Sequence, residues 1–325
     1  MRLLVTGGAG FVGSHFVEAA ERAGHQVEIV DVLNYAGRRA NLEANRALHR
    51  ADICDRWAMQ TIFGAFRPDA VVHLAAESHV ARSIECRDEF LRTNVMGTNN
   101  LLEVALEYWR AEDYDARFRF LHVSTDEVYG SLAPHEAPWT EASPYAPNNP
   151  YAASKAASDH LVRSYWRTFG LPAVITHSSN NYGPRQHPEK LIPTLVSQVM
   201  RGEAMTLHGK GGNVRDWLHV DDHCDGLLAA LQHGAPGETY NFGGHCERSN
   251  LQIARLISEA LLGPECTPPI SFVDDRPGND ARYASATNRA QWRLRWRPGS
   301  DIEPRLADTI RWYLDNPTYE LDYGR

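Results

Sequence analysis

At 325 residues, with 43% apolar and 23% charged side chains, the chain has the size and composition of a soluble globular protein with ample core. A net charge of −8 with no lysine/arginine run argues against nucleic acid as a partner, and any anionic ligand would need a locally basic pocket. Five scattered cysteines (Cys54, Cys86, Cys224, Cys246 and Cys266) form no C-x-x-C pair, which excludes a disulfide framework and a zinc site and implies a reducing, cytoplasmic setting. No apolar run reaches the ~18 residues of a membrane span, and the first strand starts too near Met1 for a signal peptide.

Arg2–Thr6 is an apolar run that reads as a strand, and Val12–Ala23 has helical spacing. Between them lies Thr6-Gly7-Gly8-Ala9-Gly10-Phe11-Val12-Gly13, a G-x-x-G-x-x-G turn. Glycines there permit a tight turn and close backbone approach, and the following helix N-terminus offers free N–H groups to a pyrophosphate. The bland reading of such a run is a flexible turn; the flanking strand and helix favour a dinucleotide site. Gln26–Val30 forms the second strand and ends at Asp31, whose carboxylate suits the ribose hydroxyls of NAD and would repel the 2′-phosphate of NADP. Arg38 and Arg39 nearby are the features that speak for NADP. A third short strand precedes Asp52-Ile53, a pair that either contacts adenine or caps the strand-to-helix turn. Ala70–Leu74 is the fourth strand, Phe90–Ala105 a long amphipathic helix and Phe118–Ser124 the fifth strand.

That fifth strand runs into Ser124-Thr125-Asp126-Glu127, placing two carboxyls and a hydroxyl at the edge where open α/β sheets bind ligands. In a continuing strand the two acids would face opposite ways, so both reach one ligand only if the chain turns here. A helix start capped by Thr125 or Asp126 is the structural alternative. Tyr151-Ala152-Ala153-Ser154-Lys155 then opens a helix over Tyr151–Phe169, with Tyr151 and Lys155 sharing a face. A cation beside the phenol, together with a nicotinamide charge, would lower its pKa and make it a base; a surface Tyr/Lys pair is the bland reading. A strand at Ala173–Ser178 completes the alternation, which predicts a doubly wound parallel sheet of Rossmann type. Beyond residue 180, short elements mix with Pro- and Gly-rich loops until a helix at Ile302–Leu314. We therefore expect residues 1–180 to form the dinucleotide domain and 181–325 a smaller lobe interleaved with it.

The glycine run, the Thr-Asp-Glu triplet and the Tyr/Lys pair, in this order, resemble the dTDP-glucose 4,6-dehydratases of the extended short-chain dehydrogenase/reductase superfamily. The likeness extends through Ala75-Ala76-Glu77-Ser78-His79-Val80, Arg92-Thr93-Asn94-Val95, Asn180-Asn181-Tyr182-Gly183-Pro184, Glu189-Lys190-Leu191-Ile192-Pro193, Arg215-Asp216-Trp217 and Asp275-Arg276-Pro277-Gly278. The resemblance implies an NAD-dependent lyase with no metal. Tyr151, aided by Lys155, takes the 4-hydroxyl proton as C4 is oxidised. Glu127 removes the C5 proton, protonated Asp126 releases the 6-hydroxyl as water, and hydride returns to C6. Thr125 holds the 4-oxygen. NAD would be lined by Gly7, Gly10, Phe11, Val12, Gly13, Asp31, Asn34, Asp52, Ile53, Leu74, Ala75, Ala76, Ser78, Thr93, Tyr151, Lys155 and Asn181. The nucleoside-diphosphate hexose would meet Ser78, Thr125, Asn180, Lys190, Leu191, Arg215, Asn250 and Arg276. The family's habit also implies a homodimer built through a four-helix interface.

Four positions depart from the family pattern: Ala81 for Asp, Arg185 for an aromatic, His208 for Tyr and Asn279 for His. The last two lie in nucleotide-side segments and keep UDP-glucose open as a substrate beside dTDP-glucose. A nucleotide-sugar 4-epimerase would share the Tyr/Lys chemistry but needs no Asp126-Glu127 pair, and a non-catalytic NAD-binding regulatory protein would need none of these four side chains.

Overall fold

Parallel strands with apolar residues pointing to both faces need cover on both faces. In the computed structural model, which describes residues 1–266, 268–299 and 301–319, they receive it; of the expected second lobe, Thr267, Ser300 and residues 320–325 lie outside the described residues. β1 (Arg2–Thr6), with Leu3, Leu4 and Val5 fully buried, leads into α1 (Phe11–Arg22). β2 (Gln26–Asp31) and β3 (Leu48–Arg50) follow. α2 (Arg56–Phe66) begins where the Asp55 side chain accepts the Ala58 N–H at 3.0 Å, and leads to β4 (Ala70–His73).

After α3 (Val80–Glu85) and α4 (Arg87–Phe90), the expected single helix over Phe90–Ala105 does not continue as one. Leu91–Gly97 winds as a π-helix, and α5 occupies Thr98–Ala111. Two contacts from distant segments account for the wider turn. The Asn94 carbonyl accepts the Ser158 hydroxyl at 2.5 Å, and Gly97 lies so close to the Ile53 side chain that a Cβ would meet it at 2.7 Å. β5 (Arg119–Thr125) ends in a 3₁₀ turn at Asp126–Tyr129. α6 (Pro150–Phe169) is bounded by strong local signals: Asn149 caps its N-terminus, Pro150 occupies the first turn, and Gly170 at φ 76° closes it. β6 (Ala173–Ser178) is buried throughout.

The second half supplies β7 (Asn180–Tyr182), α7 (Leu191–Met200), β8 (Met205–His208), β9 (Val214–His219), α8 (Val220–His233) and β10 (Thr239–Phe242). β11 (Glu247–Ser249), α9 (Asn250–Leu262), β12 (Ile270–Val273) and α10 (Ile302–Asp315) complete the described elements. Seven strands form one parallel sheet in the order β3-β2-β1-β4-β5-β6-β10. This is the Rossmann order with one strand added, and its direction of winding reverses between β1 and β4, where such sheets open a crevice. α1 and α8 cover one face around Phe16, Leu227 and Phe242; α2, α5 and α6 cover the other around Phe63, Leu101 and Val162. The small sheets β11-β9-β7 and β12-β8 pack with α7, α9 and α10 around Leu195, Leu207 and Ile253.

Candidate active site

The residues assigned to the dinucleotide from sequence all line one cleft of about 630 Å³ at the C-terminal ends of the sheet strands. The glycine turn forms its floor. Gly7 sits at φ 73°, and a Cβ on Gly13 would stand 2.1 Å from the Gly7 carbonyl. Gly10 caps α1 without any side-chain hydrogen bond, so the first-turn N–H groups await an outside acceptor. That geometry fits a pyrophosphate. Gly13→Ala should therefore lower stability by about 1–3 kcal/mol through overpacking and weaken NAD binding; thermal melting and NAD titration would check both, and an unchanged protein would refute the close approach.

Asp31 uses Oδ2 to accept Ala9 N–H at 3.0 Å and Oδ1 to accept Leu33 N–H at 2.8 Å. Burial pushes its carboxyl up, opposed by those two bonds. Each oxygen keeps a lone pair for a ribose hydroxyl. The arginines that spoke for NADP are engaged elsewhere: Arg38 lies over the Tyr319 ring and donates to its carbonyl at 3.0 Å, and Arg39 donates to the Ala44 and Arg46 carbonyls. Asp52 both lines the cleft and ties its loop, accepting Cys54 N–H at 2.8 Å and Arg92 at 2.6 Å; the helix cap next to it is Asp55.

The turn at the end of β5 decides the fate of the acidic pair. Thr125 caps the 3₁₀ turn, its hydroxyl accepting Glu127 N–H at 3.3 Å, and this bend brings both acids into the cleft. The cap and the cleft lining are therefore the same feature. Asp126 is 1% exposed, and burial, then the Glu127 and Asp216 charges, hold its carboxyl well above the usual range. Glu127 is half-buried and also raised by burial, but Asn149, donating at 3.3 Å, and the Arg215 charge pull it back. The two acids thus differ in environment, as an acid and a base must.

Tyr151 and Lys155 line the same cleft from α6. The expected lowering of the phenol is absent from the protein alone: burial, followed by the Glu127 charge, pushes Tyr151 upward, with Thr125 opposing. Spacing on a helix predicts a neighbouring cation but not how dry the site is. Lys155 donates to the Val123 carbonyl at 2.9 Å and is lowered to about 8, by burial first, with the Asp159 charge opposing.

The cleft continues into a pocket of about 160 Å³ lined by Ser78, Asn180, Lys190, Leu191, Arg215, Asn250 and Arg276. Here cations outnumber their internal partners. Arg276 Nε and the Asn180 side-chain oxygen are buried without hydrogen-bond partners. Arg276 is lowered by burial and by the Arg215 charge beside it. Arg215 stacks 4.2 Å over Tyr283 and donates to Asn279 at 3.0 Å. Lys190, lowered by burial, donates to the Ser78 carbonyl at 3.1 Å. Two adjacent guanidiniums and a desolvated ammonium make a receptor for a diphosphate.

Sequence reasoning passed over several members of this site. Asn149 was detectable as an N-cap before Pro150, but not its bond to Glu127. Ser285, whose hydroxyl donates to Asp126 at 3.3 Å, and Tyr283 come from a loop with no local signature. Of the departures, Arg185 braces the fold, donating to Glu18 and, at 3.0 Å, to the Asn41 carbonyl. His208 Nδ1 lies 3.0 Å from the Asp274 carbonyl, and Asn279 bridges Arg215 and Asp275. Ala81 lies half-buried at the start of α3, and nothing in the structure explains it.

Sheet order, glycine turn and the Tyr/Lys helix define a Rossmann-type protein of the extended short-chain dehydrogenase/reductase superfamily. The family model described as GDP-mannose 4,6 dehydratase matches residues 4–309. The dTDP-glucose 4,6-dehydratase of Neisseria meningitidis serogroup B is 46% identical over 336 residues, covering 98% of this chain and 94% of its own length. The dTDP-glucose 4,6-dehydratase 1 of Escherichia coli is 46% identical, covering 97% of this chain and 93% of its own. The crystal structure of DesIV, a dTDP-glucose 4,6-dehydratase from Streptomyces venezuelae with NAD bound, superposes with a TM-score of 0.91 at 43% identity, covering 99% and 100% of the two chains. A UDP-glucose 4-epimerase from Thermotoga maritima shares the fold at a TM-score of 0.89 with 30% identity, covering 98% of this chain and 100% of its own. The chain therefore belongs to the GDP-mannose 4,6 dehydratase family and, within it, to the dTDP-glucose 4,6-dehydratases.

Proposed function

We propose that the chain is an NAD-dependent nucleotide-sugar 4,6-dehydratase that converts dTDP-glucose to dTDP-4-keto-6-deoxyglucose. The observation that carries this reading is the convergence, in one cleft, of Tyr151, a buried Asp126 held protonated and a Glu127 that is easier to ionise. NAD bound along the glycine turn supplies hydride acceptance at C4 and hydride return at C6. Tyr151 removes the 4-hydroxyl proton, and Thr125 hydrogen-bonds the 4-oxygen. Oxidation at C4 acidifies the C5 proton, which Glu127 takes. Asp126 gives its proton to the 6-hydroxyl, which leaves as water, and as hydride returns to C6 a solvent-exchanged proton on Glu127 goes back to C5. Lys190, Arg215 and Arg276 hold the diphosphate, with Ser78, Asn180, Leu191 and Asn250 around it. Asp31, Asn34, Asp52, Ile53, Ser78, Thr93 and Asn181 position the dinucleotide. In this division residues 1–180 carry the cofactor and the reacting groups, and residues 181–325 mainly carry the nucleotide sugar.

A 4-epimerase shares the fold and the Tyr/Lys pair but has no use for an acid/base pair beside C5 and C6. Incubation with dTDP-glucose or UDP-glucose in D₂O separates the two: mass spectrometry should show loss of one water, with solvent deuterium at C5. Epimerisation without deuterium uptake would overturn the dehydratase reading, and the comparison of the two substrates reports the base preference. Among the described residues no helix is long and apolar enough to cross a membrane. A cytoplasmic homodimer is the form we propose. The exposed Leu91 and Met96, 53% and 61% accessible on the π-helical segment beside α5 and α6, support a helix-mediated contact, and sedimentation would test it.

A further inference from the structure

A carboxylate that takes a proton from carbon must be both ionised and held still. Among the described residues the Glu127 side chain has one hydrogen-bond partner, Asn149, whose Nδ2 donates to Oε2 at 3.3 Å. Asn149 is 6% exposed and caps α6: its Oδ1 accepts Ala152 N–H at 2.8 Å, and its main-chain carbonyl accepts Ala153 N–H at 3.0 Å. The cap settles which way the amide faces. Turned over, its NH₂ group would meet the Ala152 N–H, donor against donor, so Nδ2 is the end left for Glu127.

The cap is braced from the other side. Asn148 Nδ2 donates to Asp280 Oδ1 at 2.5 Å, and Gly278, at φ 69°, passes so close that a Cβ would stand 2.6 Å from the Asn148 carbonyl. Asn149 therefore joins the turn bearing Glu127 to the helix bearing Tyr151, at a point where the loop bearing Arg276 is seated.

The charged and titratable groups around Glu127 do not replace this bond. Asp126 and Asp280 add like charge, and Tyr151 and Tyr283 are phenols pushed upward by burial. The cations that face it are Arg215, Lys190 and Arg276. Arg215 donates to the Val214 carbonyl and to Asn279, and Lys190 donates to the Ser78 carbonyl. In the proposed reading a bound diphosphate neutralises all three cations. The Asn149 amide is then the group that still favours Glu127 as an anion.

We propose that Asn149 is a positioning residue: its amide fixes Glu127 as an oriented carboxylate, so that the base for C4 oxidation and the base for elimination are mounted on one helix cap. The proposal rests on the reading of Glu127 as the group that takes the C5 proton.

Asn149→Ser keeps a good N-cap but is too short to reach Glu127, and Asn149→Asp keeps the cap and sets a second carboxylate beside it. Glutamate labelled with ¹³C at the carboxyl group reports the titration in the NAD-bound protein, the Glu127 signal being the one that disappears in Glu127→Gln. That titration should move up by about one pH unit in Asn149→Ser, which loses a donor, and further in Asn149→Asp, which adds a like charge. The acid limb of water loss should move up with it. C4 oxidation in a single turnover should keep its rate, and both variants should melt close to the native protein. An unmoved titration in Asn149→Ser would overturn the proposal, as would a loss spread evenly over both steps and all pH in a protein that melts earlier. If Asn149→Asp does not fold, Asn149→Ser decides alone. A titration that moves while the acid limb stays put, or in a protein that never dehydrates dTDP-glucose, leaves the Asn149 contact standing and removes only the role given to Glu127.

Discussion

Tyr151→Phe is expected to suppress both C4 oxidation and water loss, with turnover falling by about 10²–10⁴-fold, the usual worth of a positioned base. The change removes one oxygen and keeps the ring, which packs edge-on to Phe90 at 6.3 Å, so the fold and sugar binding should persist. Burial holds Asp126 toward its protonated form, and Glu127 is tied to the Asn149 amide at 3.3 Å. Single-turnover absorbance of the reduced cofactor would report C4 oxidation, and mass spectrometry would report water loss. Normal turnover in this variant would remove Tyr151 as the base.

Glu127→Gln should separate the two steps. C4 oxidation should survive, dTDP-4-ketoglucose should accumulate, and water loss should slow by about 10²–10⁴-fold. The amide is isosteric and still meets Asn149, so a fall in stability is not expected. Asp126 cannot take over the C5 proton, because burial and the neighbouring charges keep it neutral. The same ordering sets the pH dependence of elimination in the native protein. The step needs Glu127 ionised and Asp126 protonated. Its rate should therefore rise as pH passes the raised Glu127 value and fall only where Asp126, raised further still, gives up its proton. Water loss in Glu127→Gln at the native rate would assign the C5 proton to another group.

Much of the fold was legible because the parallel strands carry apolar runs, such as residues 3–5 and 70–72, and some helices carry their own caps. Asp55, Asn149 and Gly170 mark three helix ends in the sequence itself. The break at Leu91–Gly97 was not legible, because its causes, Ser158 and Ile53, arrive from other segments. Strands such as β7 and β11, three residues each, exist only through pairing with β9 and leave no periodicity to read. Within the cleft, motif spacing indicated which side chains meet. It could not indicate that Tyr151 is pushed upward, that Arg38 and Arg39 turn away, or that Ser285 reaches Asp126. Those depend on dryness and on loop paths set by tertiary packing.

The pairing of β10 with β6, from opposite halves of the chain, has an evolutionary consequence. A fragment ending near residue 180 would expose the full length of β6 as a raw edge and strip α8 from the apolar side of α1, inviting self-association. The half of the chain beyond residue 180 cannot be exchanged like a cartridge between relatives. New substrate preferences in this scaffold have to arise by piecemeal change at positions such as His208 and Asn279, under the constant requirement that the intervening chain still returns to finish the sheet.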